Sequence, residues 1–195
     1  LTSENESLKS KAANEASFLG DFSDKDAFLE SVAGIYFGKT RAKQVAKAWK
    51  LFESGYRNYP LNIMFSYYGP MHDSVVWQLA LQPKNFAPAR TWQLVDPMDG
   101  DRICDALCSA HTLDEARILC KRMAKDWSAG VELLADMESA HAEEAEQLAV
   151  ARAIGLLFEG GNRILEFYQL RDDLGRGIGD ANAILARMRT IVEAE

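Results

Sequence analysis

The sequence predicts a mainly α-helical protein, an antiparallel helical bundle interrupted by one irregular insertion that is rich in proline and aromatic residues. Apolar residues recur at spacings of three and four in several stretches, which is the pattern of one face of a packed helix. All five prolines lie between Pro60 and Pro97, which confines the irregular part to one region. A length of 195 residues with 48% hydrophobic content fits an ordinary globular core.

The beginning of the chain divides into a polar stretch and a first helix. Residues 1–20 are mostly Ser, Asn, Glu and Lys, and we expect a polar arm or linker there. We expect residues 21–195 to form a single helical domain. Ser23 to Asp26 resembles a capping box with Asp in place of Glu, and the helix it begins should end near Gly38. Its apolar positions are Phe28, Leu29, Val32 and Ile35.

The second helix is predicted between Thr40, which can cap it, and Pro60, which stops it. It carries one apolar stripe with alternating spacings of four and three. The stripe consists of Val45, Trp49, Phe52, Tyr56 and Tyr59.

The predicted insertion covers about residues 61–100. Leu61 to Tyr68 suits a short strand or extended segment, and the prolines and glycines that follow make regular helix unfavourable. Its many aromatic residues argue against disorder. A long irregular stretch of this kind is usually functional or wraps a neighbouring domain.

Three further helices are predicted after the insertion. The third begins at Thr112 and has Asp114 and Glu115 in its first turn, where acidic residues favour the helix dipole. The fourth runs from about 140 to 174, with Gly160-Gly161 as a possible kink or break, and residues 175–177 end it. Asp180 caps the last helix. The apolar stripe of the third helix consists of Leu113, Ala116, Cys120, Met123, Trp127, Val131 and Leu134. That of the last helix consists of Ile184, Leu185, Met188 and Ile191.

Charge and composition exclude several functions. A net charge of −7 argues against general nucleic-acid binding, which needs a basic surface. The one basic stretch, Lys39 to Arg57, is best interpreted as a solvated helix face. No apolar run is long enough to span a membrane, and the polar first residues do not form a signal peptide. Because the first residue is Leu, we expect the chain to be part of a longer protein.

The number of cysteines, three, is odd and gives no closed disulfide framework. We interpret them as small buried apolar residues. Free thiols favour a reducing compartment, and we expect a cytoplasmic protein.

Four patterns suggest chemistry, and each has a plainer explanation. Glu138 and His141 have the E-x-x-H spacing of a metal-binding helix, but the second such motif is missing and a chance match is favoured. Asp96, Asp99 and Asp101 have the wrong order for a calcium loop and fit a structural turn. The acids in Arg171-Asp172-Asp173 lack the second acidic motif of magnesium–diphosphate chemistry and fit an exposed helix end.

The fourth pattern is the aromatic set of the insertion, which could stack on sugar rings or anchor an interface. The candidate substrate-binding residues are Tyr67, Tyr68, Trp77, Trp92 and Asp99. Because the chain has no nucleophile elbow, P-loop, dinucleotide fingerprint or zinc-protease motif, we predict no catalytic residue, no metal ligand and no cofactor.

Several segments in order carry a family resemblance. They are Ala27 to Gly38, Val45 to Phe52, Tyr59-Pro60, Tyr67 to Pro70, Met123 to Leu134 and Glu166 to Asp172. Together they resemble the helical region that follows the catalytic barrel in uncharacterised bacterial glycoside-hydrolase-like proteins.

The resemblance implies an accessory, non-catalytic helical domain that packs on or borders an upstream catalytic barrel of the same polypeptide. In such proteins the reactive carboxylates lie on the (β/α)8 barrel, which this sequence cannot form. Carbohydrate is a further candidate partner, whereas nucleic acid and membrane are not. The alternatives are a stand-alone carbohydrate- or protein-binding helical module and a small helical enzyme or metal carrier that uses Glu138 and His141.

Overall fold

The protein is mainly helical in the part of the chain that the computed structural model describes, which comprises residues 24–60, 79–82, 111–135 and 142–195. These residues form five helices and no strand. The helices are α1 (Lys25–Phe37), α2 (Ala42–Tyr56), α3 (Leu113–Leu133), α4 (Ala142–Arg176) and α5 (Ala181–Ala194). The predicted fold class is confirmed. The insertion predicted at about 61–100 lies outside the described residues except for 79–82, which are not helical.

The chain divides into two compact units. The first comprises Leu1–Ser54 and Asp126–Arg152, and the second comprises Gly55–Lys125 and Ala153–Glu195. The single domain expected over residues 21–195 stays a prediction. The polar arm expected at residues 1–20 lies outside the described residues.

In the first unit, α1 and α2 pack antiparallel. At one end of the pair, the Lys25 ammonium donates to the Glu53 carboxylate at 2.8 Å. At the other end the backbones approach so closely that a Cβ on Gly34 would lie 3.6 Å from the Cβ of Ala42. Ala33, Val45 and Ala48 are fully buried in this unit. Such small side chains let helices pack at short distance.

Helix α3 lies antiparallel to α2 in the same unit. The Gln44 side-chain amide donates to the carbonyl of Leu133 at one end of the contact. The Ser54 hydroxyl donates to Asp126 at 2.7 Å at the other end. The buried residues of this core are Ala33, Ala42, Val45, Ala46, Ala48, Leu134 and Leu148.

In the second unit, α4 packs antiparallel to both α3 and α5. Gln169 of α4 donates to Asp114 near the start of α3. Arg187 of α5 pairs with Glu166 of α4. The buried residues of these helices include Ala116, Cys120, Met123, Phe158, Ile164, Leu165, Phe167, Tyr168, Ile184, Met188 and Ile191.

The helix starts agree with the sequence in two of four cases. Thr112 and Glu115 form a reciprocal capping box at the start of α3: the Thr112 N–H donates to the Glu115 carboxylate at 2.8 Å, and the Glu115 N–H donates to the Thr112 hydroxyl at 3.2 Å. Asp180 caps α5 by accepting from the Asn182 N–H at 3.1 Å. Both predictions are confirmed.

The other two starts were predicted wrongly. The residue that caps α1 is Asp24, whose carboxylate accepts from the N–H groups of Asp26 and Ala27 at 3.0 Å. The cap therefore lies one residue after Ser23, and with Ala27 as the third helical residue it is a simple cap rather than a capping box. Helix α2 begins at Ala42, which leaves Thr40 in a turn rather than at the cap. The position of a cap depends on the local backbone geometry, and the residue pattern predicts that position only to within one or two residues.

Two expectations concern glycines of α4, one at its C-terminal end and one in its middle. Gly177 has a φ of 68°, and its N–H and that of Ile178 donate to the carbonyls of Leu174 and Asp173, which is a Schellman motif. The helix therefore ends where the glycines predicted. Because α4 continues unbroken from Ala142 to Arg176, the expectation of a break at Gly160-Gly161 is wrong, and that of a kink stays a prediction.

Two residues of the predicted apolar stripes are exposed. Tyr56 in the last turn of α2 is 60% exposed, and Leu185 of α5 is 41% exposed. The buried stripe of α5 is therefore narrower than predicted and consists of Ile184, Met188 and Ile191.

Candidate functional site

The residues predicted to contact sugar all lie outside the described part of the chain, so that prediction stays untested. They are Tyr67, Tyr68, Trp77, Trp92 and Asp99. The same holds for the E-x-x-H pair of Glu138 and His141 and for the acidic turn around Asp96.

The best-formed polar cluster among the described residues is centred on Glu166 in the second unit. Arg187 binds the Glu166 carboxylate with both arms: Nε donates to Oε1 at 2.9 Å, and Nη2 donates to Oε2 at 2.7 Å. Arg117 of α3 approaches Oε1 at 4.0 Å. The Glu166 side chain is only 16% exposed. The bidentate pair thus joins α4 to α5 with fixed geometry.

The electrostatics of this cluster keep Glu166 ionised. The hydrogen bonds from Arg187 lower the pKa of Glu166, and the charges of Arg187, Arg117 and Lys121 act in the same direction against the opposing effect of burial. The same hydrogen bonds raise the pKa of Arg187. A general acid needs a proton near neutral pH, and a general base works best with a pKa near the working pH. Glu166 is suited to neither role, and the cluster is structural.

Gln169 extends the cluster along α3. Its carbonyl oxygen accepts from Arg117, and its amide nitrogen donates to Asp114. One side chain of α4 thereby binds two neighbouring turns of α3. The sequence pattern does not reveal this network, since its members lie on three helices and only the segment Glu166 to Asp172 stands out in the sequence.

The Arg171-Asp172-Asp173 sequence lies in the last turns of α4. The Arg171 guanidinium carbon lies 4.5 Å from the centre of the Tyr168 ring, and Nη1 donates to the carbonyl of Ala80 at 3.3 Å. This is a cation–π contact with an anchoring hydrogen bond. The two aspartates are half-buried rather than fully exposed as predicted.

Metal and thiol chemistry find no support in the described residues. No group of three or more His, Cys, Asp and Glu side chains there is arranged to hold a metal ion. Cys120 is fully buried, and burial raises the pKa of its thiol to about 12. A thiol that stays protonated is a poor nucleophile. The interpretation of Cys120 as a small buried apolar residue is confirmed, whereas Cys104 and Cys108 lie outside the described residues.

The most closely packed site of the first unit joins α2 and α3. The rings of Phe52 and Trp127 lie 4.4 Å apart between centres at an angle of 32°. The indole N–H of Trp127 donates to the carbonyl of Ala151 on α4 at 2.8 Å. Gly130 lies against the Phe52 ring and the Ala48 carbonyl, which leaves no room for a side chain. These residues are committed to helix packing.

The basic stretch of α2 behaves as predicted. Lys43 and Lys47 are exposed, whereas Lys50 pairs with Asp26 at 2.5 Å. Arg41 donates to Glu144 at 3.0 Å, and Glu144 is the one buried charged residue among those described. The interpretation as a solvated face is confirmed for Lys43 and Lys47, whereas the ion pairs of Arg41 and Lys50 were not predicted.

An aromatic pair at the end of α2 consists of the exposed Tyr56 and the half-buried Tyr59. The rings of Tyr56 and Tyr59 lie 5.7 Å apart between centres at an angle of 32°. With Tyr56 60% exposed, the pair offers an aromatic surface to solvent. Aromatic faces of this kind can pack against the C–H face of a sugar ring. The apolar stripe predicted for the second helix includes both tyrosines, so the pattern does not reveal this surface.

No helix among the described residues has the length and apolar content that crossing a bilayer requires. No family model, curated protein or solved structure matches the chain. Within the described residues the protein is mainly helical, and the carboxylates of the buried Glu144 and the largely buried Glu166 form ion pairs with arginine.

Proposed function

We propose that this chain is a non-catalytic helical domain of a bacterial, cytoplasmic glycoside-hydrolase-like protein, which packs on or borders a catalytic barrel of the same polypeptide. The order of the segments described under the sequence analysis motivates the proposal. The observation that carries it is the use of those segments. In two of them, Met123 to Leu134 and Glu166 to Asp172, polar and aromatic side chains make contacts between helices.

The segment Met123 to Leu134 illustrates this use. Trp127 stacks on Phe52 and donates to a backbone carbonyl of α4, and Gly130 permits the close approach of α2. These residues of the segment serve helix packing, as expected of a domain that supports a catalytic domain.

The segment Glu166 to Asp172 supports the same conclusion. Its carboxylate is held ionised by arginine, its glutamine joins two turns of α3, and Arg171 lies on the Tyr168 ring. Hydrolysis of a glycosidic bond requires two carboxyl groups facing one another across a cleft, one of them protonated. The best-buried carboxylates described, Glu144 and Glu166, are each neutralised by an arginine instead.

Two measurements test the proposal. The coding sequence upstream of the Leu1 codon should encode a (β/α)8 barrel in the same reading frame, and its absence would contradict the proposal. The purified chain should also show no turnover on a broad panel of aryl glycosides. Turnover that copurifies with the chain, and that is missing from a control preparation made in the same way without the chain, would overturn the non-catalytic assignment.

The second candidate function is a stand-alone carbohydrate-binding module, and the Tyr56–Tyr59 surface favours it. Calorimetric titration with a panel of soluble oligosaccharides tests this function. Tyr56→Ala should abolish binding, whereas Tyr36→Ala should not, since Tyr36 is also exposed, at 39%, but lies on α1. Equal effects of both substitutions, or no binding by the unsubstituted chain, would exclude a site at this pair.

A further inference from the structure

The exposed side of α3 carries an unbalanced positive charge. Residues 116–125 contain four basic residues and no acidic one, in a chain whose net charge is −7. Lys121, Arg122 and Lys125 are exposed, and none of their side chains makes a hydrogen bond or an ion pair among the described residues. Three positive charges therefore face solvent within five positions of one helix.

The acidic residues that flank this charge on α3 are engaged elsewhere. Asp114 accepts from the side-chain amide of Gln169 on α4. Glu115 accepts from the backbone at the start of its own helix. Asp126 accepts from the Ser54 hydroxyl at 2.7 Å. The charge is thus not balanced by the helix that carries it, and the balancing charge has to come from solvent ions or from a partner.

An exposed isoleucine lies among these cations. Ile118 is 52% exposed. It precedes Lys121 and Arg122 by three and four residues and Lys125 by seven, so all four residues lie on one side of the helix. We call these four residues the α3 basic face. An apolar centre beside a charged rim is the composition of a protein interface.

We propose that the α3 basic face binds an acidic, amphipathic helix of a partner protein. An apolar side chain of the partner packs on Ile118, and its carboxylates lie beside Lys121 and Lys125. Charge complementarity determines the sign of the partner. The isoleucine favours a protein over a phosphate backbone, because its burial requires an apolar group on the partner. This inference does not rest on the glycoside-hydrolase resemblance.

The size of the α3 basic face makes the contact weak and transient. Four side chains provide much less than the area of about 1,200–2,000 Å² that stable complexes bury. Charges on the rim of an interface act mainly on the rate of association and are screened by salt. Binding should therefore be measurable at low ionic strength and should weaken as salt is added.

The lysines of α2 provide a matched control. Lys43 and Lys47 are exposed and have the same four-residue spacing as Lys121 and Lys125. The exposed large apolar residue of α2, Tyr56, lies more than two turns beyond Lys47. The two pairs of lysines thus offer equal charge at equal spacing, and only the pair on α3 has an exposed apolar neighbour on its own side of the helix.

Fluorescence anisotropy with a labelled synthetic helical peptide tests the proposal, with glutamate and leucine placed on one side of the peptide. Lys121→Gln combined with Lys125→Gln should weaken binding about fivefold, since each exposed ion pair contributes modestly. Lys43→Gln combined with Lys47→Gln should weaken it less than about twofold. Equal losses in the two double variants would show general attraction between opposite charges and overturn the proposal.

The isoleucine is tested separately, with polyglutamate as a probe that lacks apolar side chains. Ile118→Ser should weaken binding of the amphipathic peptide about threefold and leave that of polyglutamate unchanged. Leu156→Ser is its control, because Leu156 is 65% exposed on α4. Circular dichroism checks the fold of each variant. Tighter binding of a single-stranded oligonucleotide of the same charge, or no binding of the peptide at low ionic strength, would also overturn the proposal.

Discussion

Gly130 provides the sharpest test of the packing between α2 and α3. A Cβ at this position would lie 2.5 Å and 2.7 Å from two carbons of the Phe52 ring and 3.1 Å from the backbone oxygen of Ala48. The first two distances are shorter than any ordinary carbon contact. The Phe52 ring has little freedom to retreat, because Trp127 lies against it with 4.4 Å between ring centres.

Two opposing effects decide the outcome of Gly130→Ala. Replacing glycine by alanine inside a helix favours folding by about 1 kcal/mol. Overpacking a filled site typically costs about 1–3 kcal/mol. Because both the ring and a backbone oxygen would have to move, we expect the cost to prevail and the free energy of unfolding to fall by about 1 kcal/mol, the difference between a cost of about 2 and a gain of about 1 kcal/mol. At this chain length that corresponds to a melting temperature lower by about 2–4 °C.

Gly34→Ala is the matched control in the same unit. Gly34 is inside α1, and its added Cβ would make an ordinary contact of 3.6 Å with Ala42. We expect this variant to be stabilised by up to about 1 kcal/mol. Chemical denaturation followed by circular dichroism measures both changes. If Gly130→Ala is as stable as the unsubstituted chain while Gly34→Ala behaves as expected, the described α2–α3 contact is wrong.

Three further predictions concern charge, the buried thiol and a helix cap. Because Arg187 lowers the pKa of Glu166, the pair stabilises the fold above the usual glutamate pKa of 4.5 and loses its effect as pH falls below it. Glu166→Gln should lower the free energy of unfolding by about 1 kcal/mol at neutral pH. The difference in stability between this variant and the unsubstituted chain should shrink in denaturation curves measured at acid pH. Cys120, with its pKa raised to about 12, should resist a thiol reagent at pH 8 until denaturant is added, and rapid labelling of the folded chain at this residue, located by mass spectrometry, would contradict its burial. Asp24→Ala removes two cap hydrogen bonds and should lower the free energy of unfolding by about 1 kcal/mol, whereas Asp24→Asn should retain most of it.

The sequence predicted the helices well where a local signal marks them. The capping box of Thr112 and the glycine at the end of α4 depend on residues a few positions apart, so the pattern alone suffices. The expected break at Gly160-Gly161 does not occur, because the cost of about 1 kcal/mol for each glycine in a helix is outweighed by tertiary packing. Phe158, Ile164 and Leu165 around the pair are buried, and their contacts hold the helix together.

The contacts between helices could not be predicted. Glu166 and Arg187 lie 21 positions apart on different helices, and Arg41 and Glu144 lie 103 positions apart. Nothing in either local pattern pairs one with the other, since each is an ordinary charged residue on a helix. The exposure of Tyr56 was missed for a related reason: a stripe shows which side of a helix is apolar, but not where along its length the neighbouring helix ends.

The turn between α4 and α5 has a kinetic consequence. Gly177 and Gly179, with φ of 68° and 85°, reverse the chain within a few residues and direct α5 back along α4. The resulting contacts close short loops, whereas the contact of Gln44 with Leu133 joins residues that are 89 positions apart in the sequence. Since closing longer loops costs more entropy, we expect the hairpin of α4 and α5 to form early in refolding and the α2–α3 contacts to form late. Pulsed hydrogen exchange would then record protection of the C-terminal amides before that of α2.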